Sequence, residues 1–231
     1  MEREHISSAF DEELTELNQL VYSLGGMVLS QVQGVVAFLG DPDIKAMESL
    51  IKNDESLDEL DADINIKAYE IIAVRSPIAE DLRKVIVALK MSGMLERVGD
   101  FAANIAKRGI IISENKQSKD FVDMIQSLGA EVSTTLVEVI DAYRHGDVEK
   151  AMKVWSGDVE IDTQYMNYYK KIILAMEKDS SLIEAGTHAH FALKNFERVG
   201  DYATGIAELV YFLNTGEYPS EDRPKASLSD E

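Results

Sequence analysis

ERVGDFAANIA, residues 96–106, and ERVGDYATGIA, residues 197–207, decide how this chain is read. Eight of the eleven positions agree, including the whole Glu-Arg-Val-Gly-Asp pentad, and the copies lie 101 residues apart. Outward from them, GDPDIKAMESL (40–50) matches GDVEKAMKVW (146–155) at an offset of 106, and DESLD (54–58) matches DVEID (158–162) at 104. Offsets that differ only by small loop changes mark an internal duplication.

The duplicated unit is helical. No proline falls between Pro77 and Pro219. Leu14, Leu17, Val21, Leu24, Val28, Val35 and Phe38 recur at steps of three and four residues, with a gap at polar Gln31. That is the seam of a long amphipathic helix packed in a bundle. No window alternates with period two. Breaks at 40–43, 75–77, 113–120, 145–147 and 178–181 predict six long antiparallel helices, three per half. Ser76 before Pro77 is expected to cap the third helix, with the proline in its first turn. The fold class is all-α: two tandem three-helix bundles, residues 1–115 and 116–218, with a disordered polar tail over 219–231.

The chain has 42 acidic and 23 basic residues, a net charge of −19, and no cysteine. Disulfides, thiolate metal sites and cysteine nucleophiles are thereby excluded. So acidic a surface is repelled by nucleic acid and by anionic lipid, and attracts cations or a basic protein. The start, MEREHISSAF, lacks the basic-then-apolar plan of a signal peptide. Apolar runs such as IIAV and LVYFL are too short to cross a bilayer. The expectation is a soluble, cytoplasmic protein that meets membranes only through partners.

Each half carries two carboxylate pairs at a spacing of four: Asp54/Asp58 and Glu96/Asp100, then Asp158/Asp162 and Glu197/Asp201. On a helix such a pair shares one face, at a cost of a few tenths of a kcal/mol in like-charge repulsion. An antiparallel hairpin turning near residue 76 sets the first two pair centres about 3 Å out of level, at 1.5 Å of rise per residue. A turn near 179 sets the second two almost level. Four carboxylates converging in each half make an oxygen cage for a hard divalent or trivalent ion. The ordinary alternative is a solvated acidic face, with Arg97 serving Asp100 and Arg198 serving Asp201 at i+3. Gly99 and Gly200, costly inside a helix, suit a close approach at these points. Asp61, in the run DELDAD (58–63), is a substitute for Asp58. His188 and His190 are two apart and point different ways, which suits surface residues better than ligands.

The residues RSPIAEDLRKVIVALKMSGMLERVGDFAANIA (75–106), GDVEIDTQY (157–165), AMEKD (175–179) and FERVGDYATGIAELVYFLNTGE (196–217) resemble the PhoU family over nearly the whole chain from about residue 10 to 218. The resemblance implies a non-enzymatic regulator of phosphate uptake and phosphate-starvation signalling. It implies multinuclear metal clusters, iron foremost, with zinc, manganese, magnesium or calcium as alternatives. Their ligands would be Asp54, Asp58, Glu96 and Asp100, then Asp158, Asp162, Glu197 and Asp201. It implies as partners a phosphate ABC transporter, through its ATPase subunit, and a membrane sensor histidine kinase. The starvation response would be held off when phosphate is plentiful, and the protein would be a homodimer. Many relatives carry His and Asn in the second motif, where this chain has Tyr202 and Gly205. If that His serves the metal, the second cluster would take fewer or different ions.

Two rivals stand beside this reading. A ferritin-like di-iron protein needs Glu-x-x-His on core helices, and only Glu2 and His5 match, at the extreme N-terminus. A metal-free acidic adaptor would use the same carboxylates to dock a basic surface. No Gly-rich phosphate loop or Ser-His-Asp arrangement occurs. The carboxylates are expected to face the surface rather than a closed cleft, so no catalysis is predicted.

Overall fold

Five polar breaks become five helix ends. The computed structural model describes residues 2–40, 43–114, 119–220 and 223, with side chains from residue 9 onward. The elements are α1 (Glu2–Gly40), α2 (Ile44–Lys52), α3 (Asp54–Arg75), α4 (Ala79–Glu114), α5 (Lys119–His145), α6 (Val148–Lys178), a single 3-10 turn (Ser180–Leu182) and α7 (Ile183–Thr215). No strand occurs among the described residues.

The breaks are chemically specified. Asp43 accepts from the backbone N–H groups of Lys45 and Ala46 at 3.0 and 3.2 Å, satisfying donors that the first turn of α2 leaves free. Asp147 does the same for Lys150 at 2.9 Å at the start of α6, after Gly146 reverses the chain with φ 64°. Gly216, φ 85°, closes α7.

Two expectations about ends are corrected. Ser76 does not open the third helix; it closes α3 in the left-handed region, its N–H donating to the carbonyl of Ile72, and α4 starts at Ala79. The second helix of the first half is not continuous. Asn53 donates to Ser49 O at 3.0 Å to finish α2, and Ser56 donates to Asn53 O at 3.1 Å to begin α3. The break puts Asp54 and Glu55 in the first turn of a new helix, where the macrodipole favours negative charge.

Three helices of each half, counting α2–α3 as one, pack on each other, and the halves then pack side by side. α4 lies on α7, and α1 lies on both α4 and α5. The buried apolar residues form one continuous core across both halves, from Leu14 in α1 to Val210 in α7. Helix α1 is long and apolar enough to cross a bilayer, which the short runs read from the sequence missed. Its seam of Leu17, Val21, Leu24, Val28, Val32 and Val35 is spent inside the bundle. Gln31, the polar gap in that seam, is only 3% exposed.

Of the tail at 219–231, residues 221, 222 and 224–231 lie outside the described residues. Arg223 is described, and it is held in place.

Candidate functional site

The glycine of each ERVGD pentad sets the geometry. A Cβ on Gly99 would lie 2.4 Å from Leu57 Cδ1, 3.4 Å from Gln31 Oε1 and 3.8 Å from Asp54 Oδ1. A Cβ on Gly200 would lie 3.2 Å from Ile161 Cδ1 and 3.3 Å from Asp158 Oδ1. Leu57 and Ile161 are duplicate positions, as are Asp54 and Asp158. In both halves, therefore, the missing side chain lets an aspartate of the neighbouring helix come close to the backbone between Glu96 and Asp100, or between Glu197 and Asp201.

In the first half, α3 supplies Asp54 and Asp58 and α4 supplies Glu96 and Asp100. Burial raises the Asp54 pKa, and the negative charges of Asp100 and Asp58 raise it further. Burial likewise raises Glu96, with Asp100, Asp58 and Asp61 adding to it against Arg97. All four predicted residues thus share one electrostatic neighbourhood. Asp61 accepts the hydroxyl of Ser92. Arg97 lies on the rim, 57% exposed, 2.9 Å from Asp100 Oδ2 and 3.6 Å from Glu96 Oε2. Gln31 donates to the carbonyl of Leu50 at 3.2 Å, while its Oε1 is buried without a hydrogen-bond partner.

The second half places Asp158 and Asp162 on α6 and Glu197 and Asp201 on α7. It is more enclosed than the expected surface position. Asp158, on the continuous helix α6, is 2% exposed, with Arg223 lying against its carboxylate. Burial raises the Glu197 pKa against the pull of Lys194, and Asp201 and Asp162 raise it too. Lys194 Nζ stands 2.5 Å from Glu197 Oε1, whereas Glu197 Oε2 is buried without a hydrogen-bond partner. The Arg223 guanidinium bridges the helices, donating through Nη2 to Asp158 Oδ2 and, at 2.7 Å, to Asp201 Oδ1. Sequence reasoning missed Arg223, since nothing in a polar tail marks which of its charges turns back.

The histidines stay apart. His188 Nδ1 faces Arg108 Nη1 at 3.4 Å, and His190 stacks on Tyr169 with centroids 4.8 Å apart. Burial and Lys194 lower the His190 pKa. Phe101 and Tyr202, which directly follow the two pentads, pack against each other 5.7 Å apart across the α4–α7 contact.

These groups offer carboxylate oxygen, suited to hard cations. Among the described residues, no three carboxylate or imidazole groups converge closely enough to hold one ion as they stand. Basic neighbours lie against them instead: Arg97 in the first half, Lys194 and Arg223 in the second. The donor chemistry fits a metal cation. The orphan Oε2 of Glu197 and the guanidinium seated between Asp158 and Asp201 mark the second cluster as a place that accepts positive charge.

The PhoU domain family model matches residues 21–109 and 125–210. The chain is 40% identical over 225 residues to the "Phosphate-specific transport system accessory protein PhoU homolog" of Caulobacter vibrioides, covering 97% of this chain and 98% of that protein. It is 38% identical over 228 residues to the protein of the same name in Zymomonas mobilis, covering 98% and 96%. The crystal structure of PhoU from Pseudomonas aeruginosa superposes with a TM-score of 0.87 at 30% identity, covering 90% of this chain and 100% of that one.

Proposed function

The chain belongs to the PhoU family, and from that premise we propose that it is an accessory regulator of a phosphate-specific transport system whose two acidic clusters bind hard metal cations. The observation that carries the cation half of this reading is the repeated crossing: twice, Asp-x-x-x-Asp of one helix lies beside Glu-x-x-x-Asp of the next at a glycine. Repulsion and burial leave these acids in want of positive charge. Asp54, Asp58, Glu96 and Asp100 would hold one ion or cluster, and Asp158, Asp162, Glu197 and Asp201 the other. A bound cation would neutralise the acids and clamp α3 to α4 and α6 to α7. Iron leads the candidates, followed by zinc, manganese, magnesium and calcium.

The same reading takes the protein as non-enzymatic and cytoplasmic, and as a homodimer. Its partners would be the transporter's ATPase subunit and a membrane sensor histidine kinase, the latter restrained when phosphate is plentiful. The names of its relatives, accessory proteins of phosphate-specific transport, support the transporter association. The experiment is elemental analysis of protein purified without chelator. Asp54→Asn/Asp100→Asn and Asp158→Asn/Asp201→Asn should each remove about half of the bound metal.

A second reading, the metal-free acidic adaptor, is favoured by one observation: arginine and lysine already lie against both clusters. Protein that carries no metal, takes up none, and keeps its fold in chelator would support it over the first.

A further inference from the structure

We infer that the groove between α1 and the α2–α3 junction is a binding site for a small uncharged molecule that joins an apolar ring to an amide-like edge, the chemistry of a nucleobase or nucleoside. The inference goes beyond the cation reading and does not depend on it.

The duplication built this groove twice. In the first half it holds about 490 Å3, with Ser23, Gly26, Met27 and Ser30 of α1 as one wall. In the second half Glu131, Thr134, Thr135 and Glu138 of α5 form the same wall of a groove of about 540 Å3, at a constant offset of 108. The facing wall of Asn53, Ser56 and Leu57 recurs as Gly157, Glu160 and Ile161, at an offset of 104. Three serines of the first groove are thus three glutamates of the second. Among the described residues that line the first groove none is charged, in a chain that is 28% charged. Its volume is that of a small-molecule site.

Two features of the first groove find no partner within the chain. Gly26 sits inside α1, where glycine costs helix propensity, yet a Cβ there meets nothing within 4 Å. Gln31 is 3% exposed; its Nε2 donates to the Leu50 carbonyl at 3.2 Å, and its Oε1 has no hydrogen-bond partner. The Leu50 carbonyl is the one that an unbroken helix would offer to the Asp54 N–H, four residues on. Helix α3 starts afresh at Asp54, and Asn53 ahead of it makes no side-chain cap bond. The groove therefore combines a buried acceptor in want of a donor, a carboxamide not spent on capping, and hydrocarbon from Met27, Leu50 and Leu57.

These groups select the ligand. A carboxamide pairs with the amino and ring-nitrogen edge of adenine, and an N–H donor answers an unpaired buried acceptor. A polyol would strip its hydroxyls of water against the hydrocarbon. An anion would meet Asp54 and Glu55 in the first turn of α3. A cation finds three glutamates in the second groove and no acid lining the first.

The test is calorimetry and saturation-transfer NMR on the full chain in chelator, with adenosine, uridine and nicotinamide as the uncharged molecules. Adenosine should bind with a dissociation constant below about 1 mM. N6,N6-dimethyladenosine, which lacks the amino N–H, should bind about tenfold more weakly, and AMP more weakly than adenosine. Gly26→Leu fills the open space without meeting the chain and should weaken adenosine at least about tenfold. Ser30→Glu/Ser56→Glu, which gives the first groove the acids of the second, should do the same, and Thr134→Leu in the second groove should change nothing. Gln31→Leu should lose adenosine binding, with Gly26→Leu standing in for it if that chain does not fold. Failure of all three molecules to bind overturns the inference, as does adenosine affinity left unchanged by Gly26→Leu, or AMP binding as tightly as adenosine. Because metal is absent throughout, each of these results leaves the cation reading to its own elemental analysis.

Discussion

Phe101 of α4 and Tyr202 of α7 pack their rings 5.7 Å apart, tilted by 57°. The two residues are the same position of the duplicated motif. In each half the residue after the pentad is aromatic, and the two rings together join the halves. Arg198 adds to the junction, its guanidinium 5.7 Å from the Phe101 ring centre. Phe101→Ala should lower unfolding free energy by about 1–3 kcal/mol, less than a fully buried phenylalanine because the ring is partly exposed. A double-mutant cycle with Tyr202→Ala should return a coupling of about 0.5–1.5 kcal/mol. Strict additivity in urea denaturation would show the contact to be incidental.

The two pentad glycines should respond differently to alanine. At Gly99 the new methyl meets buried Leu57 at 2.4 Å, so a core side chain has to move, at about 1–3 kcal/mol. Better helix propensity returns about 1 kcal/mol. At Gly200 the nearest atoms stand at 3.2–3.3 Å and need give only slightly. Gly200→Ala should therefore be near neutral and Gly99→Ala the more damaging. The reverse order of melting temperatures would contradict the packing described.

Stability of the metal-free chain should fall as pH rises. Burial raises the pKa of Asp54, Glu96, Glu131 and Glu197. In the window from the ordinary carboxylate value up to the raised one, the folded chain keeps protons that the unfolded chain has released. Folding free energy is lost as pH climbs through it. Glu13, Glu80, Asp141 and Asp179 are lowered by hydrogen bonds to Arg75, Lys84, Lys150 and Ser181 respectively, and their contribution is lost only as pH falls below the ordinary value. The highest melting temperature should lie near about pH 5. Glu197→Gln should flatten the decline above the ordinary carboxylate range. A melting temperature that climbs steadily as pH rises above the ordinary carboxylate range would refute this.

Cation addition should stabilise the chelator-treated chain. Saturation to about 100 times the dissociation constant corresponds to about 2.7 kcal/mol for one site. Removing the first cluster with Asp58→Asn/Glu96→Gln should leave only the second cluster's share. The same cation should weaken the pH trend, because it holds the carboxylates ionised. A Mn2+ titration that leaves the melting temperature unmoved would count against both clusters.

Much of this was legible in the sequence. The seam from Leu14 to Phe38, the five polar breaks and the repeated pentads give the helices, the duplication and the pairing of α3 with α4 and α6 with α7. Periodicity reports which face is buried, and hairpin length reports which residues are level. What it missed depends on distant partners. The break at Asn53 has no proline or glycine to announce it. Ser76 has the chemistry of a helix opener, yet the backbone around Pro77 uses it to close α3. Asp158 looked as exposed as Asp54, because Arg223, which lies against it, comes from outside the duplicated motifs. Arg223 is one of two basic residues in an acidic tail, and its partners, Asp158 and Asp201, are far from it in sequence.

Helix α1 lies on α4 of its own half and on α5 of the other, and the hydrophobic interior runs uninterrupted between them. Severing the connection between Glu114 and Lys119 should therefore leave a single particle whose two pieces co-elute. Any partner that touches both acidic regions would feel them as fixed marks on one ruler, not as beads on a string.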